Sequence, residues 1–396
     1  MHILHVTSAY YPATYWGGPI FSVYGLNNAL ANLPEIEIQV LTTDSAGPLL
    51  SQRLEAANLN MEELYPNQII HFTRRILRSS TSLEMLMKLP ALVNWADVVH
   101  LTGTYSFPTF PTLLACRLFG KPLVWSPRGA LQDAQKLEFS RKKRLKNIWN
   151  FLCNMLLNPD KTVLHTTSIE ERDFSLSSLP GARAVVISNG IDTPLAFPKR
   201  DYCPNGELRL LFLSRLHRKK GVENLLDAMV DLKDLNISLS IYGTGDKAYV
   251  TSLQERAQKL GLLDGRVHFY GHVDGESKQA AFMNADVFVL PSYSENYGIA
   301  IAEALSYGVP VIASHGTPWQ KVEEKKCGLW VDNTPQSLGE AVRTIRQMDL
   351  ADMGRRGWQW MKDDFSWHYI STLMFQSYLE LIMGSSMDKI YEESKI

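Results

Sequence analysis

Short apolar runs alternate with amphipathic stretches along most of the chain. The first run, HILHVTS at 2–8, stops at a polar turn and is followed by a helical pattern at 20–33 and a second apolar run at 37–43. Four further strand-then-turn units follow, at 96–103, 121–129, 162–168 and 184–190. Because short continuous apolar runs are typical of strands buried on both faces, this alternation predicts a doubly wound parallel sheet.

A proline-containing stretch then interrupts the alternation. Residues 191–207, IDTPLAFPKRDYCPNGE, contain three prolines and no periodicity, which is typical of a linker. The alternation restarts with predicted strands at 208–216, 237–245, 267–273, 285–293 and 310–316 and with helices at 221–232 and 249–262. A chain of 396 residues favours two cores over one. We therefore expect two Rossmann-like domains facing a central cleft, with a ligand at the carboxyl ends of the strands.

Composition narrows the function classes. Forty basic residues against forty-one acidic ones create no overall field that would attract nucleic acid. The four cysteines are scattered without a C-x-x-C pair, which disfavours a zinc site or a disulfide framework and suits a reducing compartment. No signal-peptide pattern opens the sequence, and no apolar run approaches the roughly 18 residues of a membrane span. We expect a cytoplasmic protein.

Two strand exits carry groups suited to an anion. In SAYYPATYWGGPIF, Gly17 and Gly18 precede a helix, whose amides could hold an anion, although a glycine-rich turn without a ligand is an equal explanation. In LSRLHRKKGVENLL, Arg215 leaves a strand and Lys220 stands just before a helix. A solvated charge run is the alternative, but the position at a strand exit favours a diphosphate site.

One stretch imitates a dinucleotide fingerprint. Gly243, Gly245 and Ala248 of IYGTGDKA fit G-x-G-x-x-A after a strand, so a two-domain nicotinamide-dependent oxidoreductase is an alternative. This strand does not open its domain, however, and Asp246 would place a carboxylate beside the pyrophosphate. Both points disfavour the oxidoreductase.

Two glutamates stand eight positions apart in SENYGIAIAEALSYGVP, at 294–310. Glu295 falls in a loop, and Glu303 is expected about two turns into an apolar helix. Helix capping would explain Glu295 but not Glu303, which would be costly to bury without a partner. A metal site would need further ligands that the neighbouring sequence lacks. Sugar hydroxyls fit better, because one carboxylate can accept from two vicinal hydroxyls.

Several motifs together resemble family 4 of the retaining glycosyltransferases, which have the GT-B fold. The segment SENYGIAIAE looks like the family's E-x7-E motif. Resemblances to other family motifs are found in YYPATYWGGP, DVVHLTG, SNGID, SRLHRKKG, ADVFVLPSYSENYG and FSWHYI. The resemblance implies an acceptor-binding domain at 1–195, a nucleotide-sugar-binding domain at 205–365, and a helix at 366–385 that packs back on the first domain.

The resemblance also assigns roles. Glu303 would bind the ribose hydroxyls, Glu295 would contact the transferred sugar, and Arg215 and Lys220 would hold the diphosphate. Further donor-binding residues would be Gly17, Gly18, Asn296, Tyr297 and Gly298 through their amides, and His272 beside the base. Glu295, Arg215 and Lys220 would be the catalytic group.

The implied reaction needs no metal or other cofactor, since the sugar nucleotide is a co-substrate. A hexose would pass with retention of configuration to a glycan or lipid-linked saccharide, in surface polysaccharide synthesis. The departing phosphate oxygen would take the acceptor's proton, because no carboxylate is placed by motif as a covalent nucleophile. A catalytically silent nucleotide-sugar-binding protein is a further alternative, which the intact Glu295, Arg215 and Lys220 disfavour.

The acceptor side departs from the family pattern. Many members have a histidine two positions after the equivalent of His100, where this chain has Thr102. His100 itself, within a strand, is more typical of a core histidine. Arg128 in SPRGAL lies at a strand exit and is the better candidate, for instance for an acceptor phosphate.

One helix has the pattern of a membrane-surface helix. In RKKRLKNIWNFLCNMLL, at 141–157, five basic residues precede or interleave with an apolar stripe consisting of Leu145, Ile148, Trp149, Leu152, Met155 and Leu156. An ordinary helix packed on the first sheet explains this as well. The alternative is a helix that brings the protein to the inner face of a membrane with anionic lipid.

Overall fold

The computed structural model describes residues 1–55, 59–77, 80–131 and 141–384. It divides into two units, one formed by residues 1–190 with the terminal helix that begins at Trp367, the other by residues 191–366. The division falls after Gly190, five residues before the boundary expected from sequence. The proline-containing stretch belongs to the second unit, where Arg200 donates to the carbonyls of Phe282, Ala285 and Tyr307.

The first unit is built on a seven-stranded sheet whose strands are all parallel, in the order β3-β2-β1-β4-β5-β6-β7. Its strands are β1 (His2–Thr7), β2 (Glu37–Thr43), β3 (Gln68–Thr73), β4 (Val98–Thr102), β5 (Leu123–Ser126), β6 (Thr162–Thr166) and β7 (Arg183–Val186). Its helices are α1 (Gly18–Ala31), α2 (Met61–Leu64), α3 (Leu83–Trp95), α4 (Thr109–Phe119), α5 (Arg141–Leu156), α6 (Ile169–Ser178) and α14 (Trp367–Met383). The doubly wound parallel sheet predicted from the apolar runs is confirmed, with β3 as an additional edge strand.

Helices cover both faces of this sheet. Successive residues of β1 point to opposite sides, so Ile3 joins a core with α1 and α14 while Leu4 joins a core with α3, α4 and α5. Trp367 fixes the start of α14 in the first unit. A Cβ on Gly25 or on Gly190 would lie 2.1 Å from its ring, so only glycine fits at either position.

The second unit has a six-stranded parallel sheet in the order β10-β9-β8-β11-β12-β13. Its strands are β8 (Leu208–Leu213), β9 (Ile237–Tyr242), β10 (Val267–Gly271), β11 (Val287–Leu290), β12 (Val311–Ser314) and β13 (Gly328–Val331). Its helices are α7 (Val222–Asp231), α8 (Lys247–Lys259), α9 (Gly275–Met283), α10 (Ile299–Ser306), α11 (Lys321–Glu324), α12 (Pro335–Ile345) and α13 (Leu350–Asp364). The core lies between this sheet and the helices on its two faces.

Each sheet has a point at which the strand order reverses. In the first unit it lies between β1 and β4, and in the second between β8 and β11. In open α/β sheets, ligands bind outside the carboxyl ends of the strands at such a point, because the loops leaving the two central strands diverge there. Four of the strand exits singled out in the sequence, those after β1, β4, β8 and β11, are the loops at these positions.

Candidate functional site

The exit loop of β8 packs directly against the exit loop of β11. After β8, a single 3-10 turn at Arg218–Lys220 leads through Gly221 into α7. Gly221 has a φ of 63°, and a Cβ there would lie 2.1 Å from the carbonyl oxygen of Pro291. The Tyr293 amide also donates to the Lys219 carbonyl, at 2.8 Å. The second unit therefore holds its two central exit loops in backbone contact.

This contact joins two of the predicted site residues. Lys220 Nζ forms an ion pair with Glu295 Oε1, and the Ser292 hydroxyl donates to the same oxygen at 3.0 Å. The lysine and glutamate side chains are only 16% and 12% exposed. The Glu295 amide donates to the Gly316 carbonyl at 2.8 Å, which fixes the backbone beneath the carboxylate. Such a partly buried pair can exchange partners with a charged ligand, because each member already has a compensating charge.

Glu303 is the second carboxylate of the site and the fifth residue of α10, nearer the helix start than the two turns expected. Its Oε1 accepts from Lys278 of α9, whereas its Oε2 is buried and has no hydrogen-bond partner in the described structure. Burial raises the pKa of the Glu303 carboxyl, and the charge of Lys278 opposes that rise. A buried acceptor without a donor is a position where a ligand hydroxyl would complete the hydrogen bonding.

The turn before α10 is rigidly supported. Gly298 has a φ of 76° and precedes the first residue of the helix. Tyr297 is buried, and its carbonyl accepts from the indole of Trp319, which is also buried. The turn Asn296–Tyr297–Gly298 therefore lies at the amino end of α10, between the two glutamates in sequence, where the helix end favours negative charge.

Two predicted donor residues are not tied to this cluster by any contact. Arg215 is exposed on the same loop as Lys220. His272 is 65% exposed beyond β10, with Asp274 at 3.5 Å. The edge strand β10 is two strands away from β8, or about 10 Å at ordinary strand spacing. The donor-binding roles of both residues stay predictions.

The fingerprint-like glycines have a packing explanation. A Cβ on Gly243 would lie 1.9 Å from the Ser214 carbonyl oxygen, and one on Gly245 would lie 2.0 Å from that of Leu216. Asp246 is the amino-terminal cap of α8, accepting from the Tyr249 amide at 3.1 Å. Contacts between neighbouring strand exits therefore account for the glycines that prompted the oxidoreductase alternative.

In the first unit, the central strands carry buried histidines. The rings of His5 and His100 stack with centroids 4.4 Å apart, and both side chains are fully buried. His100 bonds through one ring nitrogen to Tyr378 Oη at 2.6 Å and through the other to Ser126 Oγ at 2.7 Å. The same hydroxyl lies 2.7 Å from His165 Nδ1. Burial lowers the pKa of all three histidines, to about 3 for His5 and His165.

The three acceptor-side candidates are placed differently. His100 uses both ring nitrogens inside the core, and the Thr102 hydroxyl bonds to His5 Nε2 at 2.8 Å. Arg128 is half-buried beyond β5, with a left-handed φ of 54°. Its Nη1 donates to Asn189 at 2.6 Å, and its Nε is buried without a partner in the described structure. Arg128 is the one of these candidates with an unsatisfied donor.

The glycine turn and helix α5 complete the sites predicted from sequence. Gly17 has a φ of 75°, Gly18 begins α1, and a Cβ on either would meet nothing within 4 Å. The left-handed φ accounts for Gly17, whereas neither packing nor conformation explains Gly18, and the anion-binding role of both glycines stays a prediction. The residues of the apolar stripe predicted on α5 do not all face the same way. Trp149 faces inward, its indole donating to the Thr104 carbonyl at 3.0 Å, and Leu156 packs in the core.

Sequence reasoning missed several partners in these sites. Lys278 lies in an ordinary polar helix, and Ser292 in a loop rich in serines, so neither stands out. His5 carried a usable signal, since a histidine within an apolar strand must find partners for its ring nitrogens. Among the described residues, no group of three or more His, Cys, Asp and Glu side chains is placed to hold a metal ion. No helix in the described part of the chain has the length and apolar character of a membrane span.

The chain thus consists of two doubly wound α/β units, and the second has a charged site in the loops at its strand-order reversal. Residues 16–194 match "Glycosyltransferase Family 4", and residues 199–357 match "Glycosyl transferases group 1". The chain belongs to these group 1 and family 4 glycosyltransferases, and its two units have the GT-B fold. The predicted membership of glycosyltransferase family 4 and the predicted GT-B fold are confirmed, whereas the E-x7-E motif and retention of configuration stay predictions.

Curated relatives match part of the chain. Phosphatidyl-myo-inositol mannosyltransferase from Mycobacterium leprae is 34% identical over 148 residues, which cover 36% of this chain and 38% of that protein. Glycogen synthase from Mycobacterium tuberculosis is 30% identical over 211 residues, covering 52% of this chain and 50% of that enzyme. The chain thus matches about half or less of the length of these relatives.

Solved structures match nearly the whole chain at low identity. Sucrose-phosphate synthase from Thermosynechococcus elongatus has a TM-score of 0.71 and 19% identity, covering 97% of this chain and 100% of that one. Anabaena HepE, solved in complex with UDP and glucose, has a TM-score of 0.69 and 17% identity, covering 95% and 98%. At these identities the likeness concerns the fold.

Proposed function

We propose that the protein is a glycosyltransferase that moves a hexose from a nucleotide-diphosphate sugar to a glycan or lipid-linked saccharide. The observation that carries the proposal is the Lys220–Glu295 ion pair at the strand-order reversal of the second unit, with the unpartnered Glu303 Oε2 in the helix that follows. Ionic groups and a buried acceptor on adjoining elements match a ligand with a diphosphate, a ribose and a sugar. The likeness to HepE, a protein solved with UDP and with UDP-glucose, supports a nucleotide-sugar donor.

The donor roles follow from the charges. Glu303 accepts from the ribose hydroxyls through the oxygen that lacks a partner, while Lys278 keeps its other oxygen engaged. Lys220 passes from Glu295 to the diphosphate, and this frees Glu295 to bind the transferred sugar. Arg215 and the amino end of α10 add positive charge near the leaving phosphate. Fixed positive groups stabilise the charge that develops on the phosphate as the bond to the sugar breaks.

The reaction proceeds with retention of configuration and without a metal. The bond between the anomeric carbon and the phosphate oxygen breaks, and a bond from the acceptor oxygen forms on the same face. The acceptor's proton passes to the departing phosphate oxygen. Lys220 and Arg215 supply the charge stabilisation that a metal ion would otherwise provide. Assignment of the product anomer by NMR tests this step, and an inverted product would exclude it.

The acceptor binds at the carboxyl edge of the first unit. Arg128 supports this assignment, because its guanidinium has a buried Nε without a partner at the exit of β5. The Gly129 amide is held by the buried Glu171 carboxylate, which keeps the loop in its left-handed conformation. An acceptor with a phosphate or carboxylate would pair with Arg128. The enzyme would then act in the cytoplasm in surface polysaccharide synthesis, a role supported by the fold it shares with WaaG, a glycosyltransferase of lipopolysaccharide biosynthesis.

The test is a nucleotide screen followed by two matched substitutions. UDP, GDP, ADP and NAD are compared by thermal shift, and a ligand at 100 times its dissociation constant should add about 2.7 kcal/mol of stability. Glu303→Gln should weaken nucleotide binding about tenfold or more, whereas Glu295→Gln should mainly lower the turnover of donor hydrolysis or transfer. Glu340→Gln, on the exposed face of α12, is the control. Stabilisation by NAD alone, or full activity of Glu295→Gln, would contradict the proposal.

A further inference from the structure

The first unit exposes a large apolar surface on one helical layer. Helices α3, α4 and α5 all pack on the same face of the sheet, where they share one core. On their outer sides they expose large apolar side chains, which are Leu83, Leu86 and Met87 of α3, Leu114, Leu118 and Phe119 of α4, and Leu145, Ile148, Phe151, Leu152 and Met155 of α5. We call these eleven residues the outer helical surface.

The apolar side chains of the outer helical surface are more exposed than those on an ordinary protein surface. Met87 is 75% exposed, Leu118 is 74% exposed, and Leu145 is 67% exposed. The second unit, which is of similar size, exposes only five large apolar side chains in total among its described residues, namely Leu195, Leu263, Tyr270, Tyr293 and Met348. Apolar side chains grouped on adjoining helices mark an interaction surface rather than scattered exposure.

The charge of the same layer indicates what covers it. Five of the first six residues of α5 are basic, and neither α4 nor α5 contains an acidic residue. The one acidic side chain of α3, Glu84, is paired with Lys88 at 3.0 Å. Among the described residues of these three helices, exposed apolar side chains thus occur together with basic residues and without an unpaired acid. This combination is complementary to an anionic lipid surface, which offers hydrocarbon and negative headgroups together.

Helix α5 is attached to the candidate acceptor edge. Three contacts join it to the exit loop of β4. The Trp149 indole donates to the Thr104 carbonyl at 3.0 Å, the Tyr105 hydroxyl donates to Asn150 at 3.1 Å, and the Lys146 ammonium lies 4.5 Å from the centre of the Tyr105 ring. A surface seated on a membrane through α5 would therefore hold the β4 exit loop at the headgroups.

We propose that the outer helical surface docks on an anionic bilayer, with the apolar residues of α3, α4 and α5 entering the interface and the basic start of α5 binding the headgroups. The surface extends over three helices and is wider than the single stripe visible in the sequence. The docking is independent of sugar transfer, since it needs none of the donor residues.

The experiment is flotation of the full-length protein with vesicles of phosphatidylcholine alone and of phosphatidylcholine with 30% phosphatidylglycerol, a composition chosen to give about the surface charge of an anionic leaflet. Binding to the anionic vesicles and weak binding to the neutral ones are expected. Substituting Phe151 and Met155 by serine should lower the partition coefficient at least tenfold. Because both side chains are exposed, the melting temperature should not change.

A second variant separates the three-helix surface from a single amphipathic helix. Serine at Met87 and Leu118, far along α3 and α4, should lower binding about fivefold or more. Serine at Leu263, an exposed leucine of the second unit, should not change it. If Met87→Ser with Leu118→Ser binds like the parent protein, the three-helix surface is wrong.

A charge variant and a mass measurement complete the test. Gln at Lys142, Lys143 and Arg144 should remove most of the preference for anionic vesicles, since each basic residue near such a surface contributes about fivefold. Sedimentation of the protein without lipid tests whether a second protein molecule covers the outer helical surface instead. A stable dimer that dissociates when Phe151 and Met155 are replaced, without vesicle binding by the parent, would show that a second copy covers the surface and would overturn the proposal.

Discussion

Acidification from pH 7 to pH 5 should selectively destabilise the first unit, because that unit buries three neutral histidines. Burial lowers the pKa of His5 and His165 from 6.5 to about 3, and the pKa of His100 falls well below 6.5 for the same reason. Below pH 6.5 the unfolded chain therefore binds protons that the folded unit does not. Stability is complete above pH 6.5 and is lost as the pH falls towards 3.

The size of the effect follows from these shifts. His5 and His165 each contribute about 1.4 kcal/mol for every pH unit below 6.5, or about 2 kcal/mol at pH 5. His5 and His165 together give about 4 kcal/mol, and His100 adds to this in the same direction, so the effect is comparable with the total stability of roughly 5–15 kcal/mol of many domains. The second unit contains four histidines, His217, His268, His272 and His315, and all of them are exposed. It serves as an internal reference.

Hydrogen exchange measured by mass spectrometry resolves the two units in one sample. After correction for the intrinsic pH dependence of exchange, protection of β1, β4 and β6 should fall steeply between pH 6.5 and 5, while protection of β8 and β11 should not. His5→Gln removes one of these titrating groups, so the slope of opening free energy against pH should become shallower. Parallel loss of protection in both units, or an unchanged slope in His5→Gln, would refute the reasoning.

Two further outcomes are expected in the second unit. Burial raises the pKa of the Glu303 carboxyl, and the charge of Lys278 opposes this rise, so Lys278→Met should raise that pKa further. As the pH is lowered in a series of calorimetric titrations, the variant should therefore lose its affinity for the nucleotide at a higher pH than the parent protein does. A pH profile that is not shifted would count against the ion pair. Gly221→Ala should lower both melting temperature and nucleotide affinity, because its Cβ would lie 2.1 Å from the Pro291 carbonyl oxygen. Gly261→Ala is the control, because Gly261 has the same left-handed φ, at 66°, but no atom within 4 Å of an added Cβ. It should lower the free energy of unfolding only by the roughly 1–2 kcal/mol that this conformation costs. Equal effects of the two alanines would mean that the loop contact is unimportant.

Most of the strands that could be predicted from sequence are buried on both faces, and β10, an edge strand with alternating exposure, is an exception. The run VVHLT of β4 is fully buried, and both ends of the strand lie within two residues of the predicted ends. The strands that were missed, β3 and β13, are half-exposed, and the four residues of β13 are too few to show a period. β3 and β13 are edge strands of mixed polarity, so their periodicity does not distinguish them from a loop.

The site could be predicted where one local segment determines it. The turn between Glu295 and Glu303 predicts that the first lies in a loop and the second in a helix. The position of Lys220 is predicted from the strand that ends shortly before it. Their partners do not follow, because the pairing of Glu303 with Lys278 depends on how α9 and α10 pack. The direction in which α5 faces also depends on packing. Trp149 was expected in its apolar stripe, but hydrogen bonding of the indole to the Thr104 carbonyl turns the ring inward.

The two units share the order of six strands, with β7 additional in the first, yet they differ in the chemistry of their central strands. This difference separates their predicted responses. At the reversal point of the second unit, Lys220 and Glu295 are charged and can exchange partners with a charged ligand. At the reversal point of the first unit, His5 and His100 are stacked, neutral and fully hydrogen-bonded. They therefore contribute to the stability of this sheet edge and do not give it charge. Binding of a nucleotide should therefore respond to substitution of the ion pair, and the first unit should lose its protection first on acidification. A first unit that kept its protection at pH 5 while nucleotide binding was lost would reverse this assignment.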